Sequence, residues 1–229
     1  MKQFARTKLL IGEDGIKALN NANIIVFGIG GVGSYVVESL VRSGIGKITI
    51  VDFDNVDETN INRQIIALHS TIGRKKVDVM KERILDINPN ISVQTHNTFI
   101  SRETISIFDL TKYDYVIDCI DNVTGKLAII EKSIENQIKV ISSLGTANKL
   151  DPTRLKITDI SKTHTCPLAK IVRLELRKKE IKHLNVLFSD ELPIKNDSPT
   201  LGSISFVPSV GGLIISSKVI KDIIEKANQ

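Results

Sequence analysis

A glycine-rich run near the N-terminus has the composition and spacing of a phosphate-binding loop. Residues 28–33 read Gly-Ile-Gly-Gly-Val-Gly and lie between an apolar run, Ile24–Phe27, and a helical pattern that begins at Ser34. A strand that turns through glycines into a helix points backbone N–H groups and the positive end of the helix dipole at one place, where phosphate is stabilised. We therefore expect a phosphate site formed by four glycines, Gly28, Gly30, Gly31 and Gly33.

An acidic residue follows this loop at the distance expected of a nucleotide site. The loop matches the pattern G-x-G-x-x-G, and Asp52 ends the next apolar run, Lys47–Val51. A carboxylate at this position can accept hydrogen bonds from both ribose hydroxyls, whereas in other contexts the same aspartate would only open a turn. The two features together predict a bound nucleotide, but an NAD-dependent oxidoreductase would share both of them.

Cationic and amide side chains come next in the chain. The segment Thr59–Gln64 is densely polar and contains Arg63, which could clamp a phosphate through two parallel hydrogen bonds. Lys76 lies early in the following helical pattern, where its ammonium could reach the same pocket. A basic helix start is otherwise usually a solvated surface, and we interpret Arg74 and Lys75 in that way.

Two aspartates lie where a later apolar run ends. Asp118 lies near the end of the run Tyr113–Cys119 and Asp121 lies just after it. A carboxylate that faces phosphates commonly holds Mg²⁺ through one protein ligand and several waters. Cys119 lies between them with apolar neighbours, which is typical of a core thiol.

The elements that must position these residues alternate along the chain. The predicted strands are Ile24–Phe27, Lys47–Val51, Ile91–Thr95, Tyr113–Cys119, Lys139–Leu144, Arg154–Ile160, Asn185–Ser189 and Ile204–Val207. The predicted helices are Ser34–Arg42, Gly73–Ile87, Val123–Glu135, Pro167–Lys179 and Ser209–Lys226.

This alternation predicts an α/β protein with a Rossmann-like, doubly wound and mostly parallel sheet. We divide the chain into an N-terminal arm and helix (1–22), a nucleotide-binding core (23–150) and a C-terminal strand and helix extension (151–229). In such sheets ligands bind beyond the carboxyl ends of the strands, so the glycine loop, Asp52 and the two aspartates are predicted to form one site.

Composition excludes several classes of protein. Of 229 residues, 41% are hydrophobic and 25% charged, which is typical of a soluble globular chain, and the net charge of +5 only slightly favours a polyanionic partner. The two cysteines, Cys119 and Cys166, form no C-x-x-C pair, which argues against a structural zinc site. The apolar stretch 204–220 is interrupted by Pro208 and Lys218, so we predict a cytoplasmic protein without a membrane segment.

The order and spacing of these residues resemble the ubiquitin-activating-enzyme-like superfamily of ATP-dependent adenylating enzymes, the ThiF, MoeB and HesA relatives. The resemblance covers roughly residues 4–145 and implies ATP as substrate, ribose binding by Asp52, and Mg²⁺ at Asp121. It implies a homodimer in which Arg6 completes the partner's ATP site. It also implies nucleotide contacts or catalytic roles for Asn60, Arg63, Gln64, Lys76, Asp121 and Asn122.

Within this superfamily the chain is most similar to the tRNA threonylcarbamoyladenosine dehydratases. The similarity rests on residues 59–69, 159–170 and 202–208 and extends the match to nearly the full length. It implies adenylation of the carboxylate of threonylcarbamoyladenosine in tRNA, followed by cyclisation, with sulfur-transfer proteins as further partners. The alternative is adenylation of the C-terminal glycine of a ubiquitin-like sulfur carrier. A non-catalytic nucleotide-sensing or RNA-binding module fits poorly with Arg63, Lys76 and Asp121.

A basic stripe in the extension independently favours an RNA partner. On the helix predicted from Pro167, one face carries Lys170, Arg173 and Arg177, which could neutralise RNA phosphates. The simpler interpretation is the solvated outer face of an amphipathic helix. The opposite, apolar face is predicted to hold Leu168, Ile171, Val172 and Leu176.

Overall fold

The protein is built on a seven-stranded sheet, seen in a computed structural model that describes residues 2–195, 197–198 and 200–227. The strands are β1 (Asn23–Phe27), β2 (Lys47–Val51), β3 (Ser92–His96), β4 (Tyr115–Asp118), β5 (Val140–Ser143), β6 (Leu155–Asp159) and β7 (Asn185–Ser189). Their order is β3-β2-β1-β4-β5-β7-β6, and all neighbouring pairs are parallel except β6 with β7.

Helices cover both faces of this sheet. The α-helices of the described residues are α1 (Ala5–Asn21), α2 (Gly33–Ser43), α3 (Lys76–Ile87), α4 (Val123–Glu135), α5 (Pro167–Lys178) and α6 (Phe206–Ala227). One apolar core lies between the sheet and α1, α2, α3 and α6, and a second lies between the sheet and α4 and α5. The predicted doubly wound, mostly parallel sheet is therefore confirmed. Within the described residues, no helix has the length and apolar character needed to cross a membrane.

Central strands are apolar on both faces because both faces are covered. Ile24–Phe27 of β1 and Tyr115–Ile117 of β4 are buried, which explains their apolar sequence. Because the strands are parallel, the segments that follow β1, β2, β4, β5 and β7 lie along the same edge of the sheet.

One predicted strand is wrong. Residues 204–207 were expected to extend the sheet, but α6 begins at Phe206 and packs against α2 and α1. Proline is compatible with the first turn of a helix, where backbone N–H groups have no intrahelical acceptor, so Pro208 does not block this start. The helix predicted from Gly73 instead begins at Lys76, since Lys75 is extended and pairs with Asn55.

Candidate active site

The carboxyl edge of the sheet carries a cleft of about 710 Å³, referred to below as the nucleotide cleft. It is formed by the loops that follow β1, β2, β4 and β5, together with parts of the C-terminal half. Nearly all of the residues that the sequence nominated line it, namely Gly28, Gly30, Gly31, Asp52, Asn60, Arg63, Gln64, Lys76, Asp121 and Asn122. Gly33 and Arg6 do not line it.

Close backbone approaches explain two of the loop glycines. Gly28 has φ of +87°, and a Cβ there would lie 2.9 Å from the Cys119 carbonyl carbon. A Cβ on Gly33 would lie 1.8 Å from the Gly28 carbonyl oxygen, whereas the nearest atom to one on Gly30 would be 3.9 Å away. Glycine is thus needed at positions 28 and 33 because neighbouring backbone comes too close for a side chain. At position 30 the absence of a side chain leaves space that faces the cleft.

Replacing Gly33 with alanine is expected to lower the free energy of unfolding by about 1–3 kcal/mol or more, because the added methyl group would overlap backbone that cannot move freely. Gly30→Ala is the matched control, since the same methyl group there would make only an ordinary contact, 3.9 Å from the Gln64 side-chain nitrogen. Urea denaturation of both variants measures the difference. Equal unfolding midpoints for Gly33→Ala and the parent protein would contradict the prediction.

Asp52 links the end of β2 to the glycine loop. One carboxylate oxygen accepts a hydrogen bond from the Ile29 backbone N–H at 2.6 Å, and the other accepts one from the Asp54 N–H at 2.9 Å. Burial raises the pKa of the Asp52 carboxyl, and the nearby Lys76 ammonium opposes that rise. The side chain is thus held rigidly at the wall of the cleft, where a ribose could reach it.

The two predicted phosphate-binding cations differ in their surroundings. Lys76 is buried, and its ammonium forms an ion pair of 2.7 Å with Asp54, a residue that the sequence analysis did not identify. Arg63 donates to the Thr59 carbonyl at 2.9 Å and to the Asn62 side-chain oxygen at 2.8 Å. Within the described part of the chain the guanidinium has no carboxylate partner, so no side chain described there neutralises its charge.

Gln64 presents an unsatisfied acceptor beside the glycine loop. The residue is buried, and within the described residues its Oε1 atom has no hydrogen-bond partner. Buried polar atoms are rarely left unpaired, so this oxygen is a candidate to receive a donor from a ligand. Asn60 contributes differently, because its side-chain oxygen accepts from the Asp57 N–H at 3.2 Å and fixes the turn that carries Arg63.

The two aspartates after β4 separate into different roles. Asp118 is fully buried and pairs with the Lys126 ammonium at 2.7 Å, so it is not a metal ligand, contrary to the sequence-based expectation. Asp121 is exposed in the cleft. Asn122 caps α4, because its side-chain oxygen accepts the Gly125 N–H at 2.8 Å. Burial raises the pKa of the Cys119 thiol, which keeps this cysteine neutral and unsuited to nucleophilic attack.

Comparison with known proteins shows the family of this chain. The sequence matches the ThiF family profile over residues 4–229. This chain belongs to the ThiF family. A tRNA threonylcarbamoyladenosine dehydratase of Bacillus subtilis (strain 168) is 46% identical over 98% of this chain and 96% of its own length.

A solved structure of a dehydratase is also similar to this chain. The crystal structure of E. coli tRNA N6-threonylcarbamoyladenosine dehydratase, TcdA, in complex with ATP is similar with a TM-score of 0.94 and 35% identity, over 99% of this chain and 96% of that one. A probable adenylyltransferase/sulfurtransferase MoeZ of Mycobacterium tuberculosis (strain ATCC 25618 / H37Rv) is 37% identical over only 54% of this chain and 31% of its own length. The similarity to the dehydratases therefore includes the C-terminal half.

That half of the ThiF family protein forms a second wall of the cleft, which the sequence analysis did not resolve. Lys149 is buried in this wall and donates to the Glu191 carbonyl, and burial lowers the pKa of its ammonium. The Glu191 carboxylate in turn accepts the backbone N–H groups of Leu150 and Asp151 at 2.9 and 3.0 Å. These partners lie about 40 positions apart, so no local pattern could reveal them. The wall comprises residues 143–149, 166–168, 193, 201, 203 and 208.

An aromatic pair lies beside the position of Asp52. Phe53 and Phe99 line the cleft and contact each other edge to face, with ring centroids 4.9 Å apart. Both rings are about half exposed, which is unusual for phenylalanine, and they provide an apolar surface against which a nucleobase could pack.

The basic stripe on α5 is only partly as predicted. Lys170 and Arg177 are exposed, but the Arg173 guanidinium donates to the Thr163 carbonyl at 2.7 Å and to its hydroxyl at 2.6 Å. Arg173 is therefore engaged in holding the segment before α5. Ile171, expected on the apolar face, is 48% exposed because α5 buries only a narrow stripe that contains Val172.

Proposed function

We propose that this ThiF family protein is an ATP-dependent tRNA threonylcarbamoyladenosine dehydratase. It adenylates the carboxylate of threonylcarbamoyladenosine in tRNA and drives closure of that group into its cyclic, dehydrated form. The observation that carries the proposal is the 46% identity to the B. subtilis dehydratase over 98% of the chain. Both halves of the cleft fall within this match, the nucleotide-binding loops and the C-terminal wall.

The chemistry follows from the charges around the cleft. The substrate carboxylate attacks the α-phosphorus of ATP, and pyrophosphate leaves. The neighbouring carbamoyl group then attacks the activated carbonyl carbon, and AMP leaves with the carboxylate oxygen, so the net loss from the base is one water. Cations that stabilise the negative charge developing on the α-phosphate provide the main acceleration, and ring closure within one molecule gains from proximity.

Each cleft residue has an assignment under this proposal. Asp52 accepts the ribose hydroxyls, and the loop at Gly30 and Gly31 cradles the phosphates. Arg63 and Lys76 neutralise phosphate charge, with Asp54 holding the Lys76 ammonium in place at 2.7 Å. Asn60, Gln64 and Asn122 line the nucleotide site. Of these side chains, Gln64 has an unpaired oxygen, which would accept a hydrogen bond from the ligand.

Asp121 fits a magnesium ion. Within the described residues, no cluster of three or more metal-ligating side chains is present, so an all-protein cage is not formed there. Mg²⁺ that accompanies a nucleotide usually needs only one or two carboxylates, with phosphates and waters completing the coordination, and the exposed Asp121 carboxylate can provide one. When bound, the ion would neutralise phosphate charge.

We also propose a homodimer in which Arg6 completes the partner's ATP site. Arg6 is exposed at the start of α1 and lies outside the cleft of its own chain. On the same helix Leu9 and Leu10 are 86% and 87% exposed, and adjacent exposed leucines are typical of a surface that is covered in an assembly. Because its substrate is tRNA, we place the enzyme in the cytoplasm.

Pyrophosphate release from ATP tests the proposed function. The assay uses purified tRNA with and without the threonylcarbamoyl modification, and turnover is expected only with the modified tRNA. The second candidate function is adenylation of the C-terminal glycine of a ubiquitin-like carrier protein, with sulfur-transfer partners. The partial match to MoeZ favours this candidate. Pyrophosphate release that requires such a carrier protein instead of modified tRNA would support it. No release with any tRNA would contradict the proposal.

The tRNA surface that we propose is the exposed part of α5 and the turn after it. Lys170 and Arg177 are exposed on α5. Arg177 also borders a surface notch with Ser161, Lys182 and His183. The helix begins at the cleft wall with Pro167, so this surface extends outward from the place where the modified base must bind.

Reversing the charges at Lys170 and Arg177 is expected to weaken tRNA binding about tenfold. It should also reduce the salt dependence of binding, because each lost phosphate contact lowers the slope of the logarithm of the binding constant against the logarithm of the salt concentration by about 0.7–0.9. Binding of a non-hydrolysable ATP analogue should not change. Filter binding at several salt concentrations measures both effects. Lys81→Glu is the control, because Lys81 is exposed on α3, which packs on the opposite face of the sheet from α5. If the stripe variant binds tRNA as this control does, the stripe is only a solvated face.

A further inference from the structure

A charged pair lies completely buried beneath the nucleotide cleft. The Lys126 ammonium of α4 contacts the Asp118 carboxylate of β4 at 2.7 Å, and both side chains are fully buried. The ammonium also donates to the Ser143 carbonyl at 2.9 Å and contacts the Ser142 hydroxyl at 3.2 Å. That hydroxyl donates to the same Asp118 oxygen at 2.5 Å. All three protons of the ammonium therefore have an acceptor.

Stability alone does not explain this pair. Removing two charges from water is unfavourable, and well-packed apolar residues of similar volume often stabilise a core equally well or better. Apolar residues on the elements that carry the pair and on the neighbouring strand are fully buried, among them Val116, Ile129 and Ile141. Burial raises the pKa of the Asp118 carboxyl, and the Lys126 ammonium opposes that rise, so the two charges depend on each other.

The pair connects two segments that line the cleft. The second oxygen of Asp118 accepts the Ile120 backbone N–H at 3.2 Å, inside the β4–α4 loop (residues 119–122), which carries Asp121. The Ser143 carbonyl belongs to the end of β5, where the second wall of the cleft begins. The β4–α4 loop also packs against the glycine loop, since a Cβ on Gly28 would lie 2.9 Å from the Ile120 nitrogen.

We propose that Lys126 is a positioning residue of the adenylation site, which holds the β4–α4 loop, and with it Asp121, at a fixed place relative to the glycine loop and the end of β5. Among the described residues, the Lys126 ammonium contacts no residue of the cleft lining other than Ser143, and it acts through Asp118. The role of Asp121 in this inference rests on the proposed function, whereas the ordering of the loop does not.

The experiment compares three variants with the parent protein. Lys126→Met leaves Asp118 buried without a partner and is expected to be strongly destabilised. Asp118→Asn combined with Lys126→Met removes both charges and is expected to recover most of the lost thermal stability. Lys132→Met is the matched control, because Lys132 lies on the same helix and also donates to backbone carbonyls, those of Ile105 and Ser106, away from the cleft.

Two measurements on the double variant decide the question. Amide hydrogen exchange in residues 119–122 is expected to be about tenfold faster than in the parent protein, because the loop opens locally more often. The Mg²⁺ concentration that half-saturates binding of a non-hydrolysable ATP analogue is expected to rise about 10- to 100-fold, as is usual when a group that orients a ligand is removed. The Lys132→Met control should change neither quantity.

A folded double variant with parental exchange in this loop and parental Mg²⁺ dependence would overturn the inference and leave the pair a packing feature. Neither readout requires turnover of tRNA. If the parent protein fails to release pyrophosphate with modified tRNA, the proposed function fails, while the exchange measurement still tests whether Lys126 orders the loop.

Discussion

Replacing Asp121 with alanine is expected to reduce pyrophosphate release with modified tRNA by roughly 10²- to 10⁴-fold, since a catalytic metal ion supplies several kcal/mol of charge stabilisation in the transition state. The fold should be unaffected, because Asp121 is exposed and the cap of α4 is formed by Asn122. Steady-state assays at saturating ATP measure the loss, and thermal unfolding confirms the fold.

Two further variants isolate the charge of Asp121 from its shape. Asp121→Asn keeps the size of the side chain and removes the charge, so it should lose nearly as much activity as the alanine variant. Asp86→Ala removes another exposed carboxylate, on the outer part of α3, and should behave like the parent protein. Near-parental turnover by Asp121→Ala at every Mg²⁺ concentration would refute the metal assignment.

Replacing Arg63 with alanine is expected to lower kcat by about 10²- to 10³-fold, the usual loss when one preorganised electrostatic donor is removed from a transition state. Of the two cations proposed to bind phosphate, Arg63 is expected to contribute more to stabilising the transition state. It has no carboxylate partner in the described structure, whereas Asp54 already neutralises part of the charge of Lys76. Its existing hydrogen bonds to Thr59 and Asn62 hold the guanidinium in place, so little ordering is needed during the reaction.

The kinetics of conservative and remote variants test this interpretation. Arg63→Lys should be intermediate, because a lysine ammonium keeps the charge but loses the planar two-pronged contact. Arg74→Ala is the remote control, since Arg74 is exposed and pairs with Glu82 outside the cleft. Equal kcat values for Arg63→Ala and Arg74→Ala would show that Arg63 belongs to the solvated surface and not to the site.

Local sequence patterns located the principal wall of the nucleotide cleft. The glycine loop, Asp52 and Asp121 each follow the end of a strand, and Lys76 lies in the first turn of α3. Such element ends follow approximately from apolar periodicity and glycine positions. A parallel sheet then brings these ends to one edge, so residues nearly a hundred positions apart could be assigned to one site before any coordinates were known. The same patterns predicted β2, β7 and α4 with their observed bounds.

The tertiary structure decided which partners the charged side chains have. Asp118 and Asp121 look equivalent in sequence, and only the approach of Lys126 from α4 buries one and leaves the other exposed in the cleft. Arg173 could not be separated from Lys170 and Arg177 until Thr163 was placed beside it. Charge pairing depends on which elements pack together, and that packing is set by long-range burial of apolar surface, which a local pattern does not record.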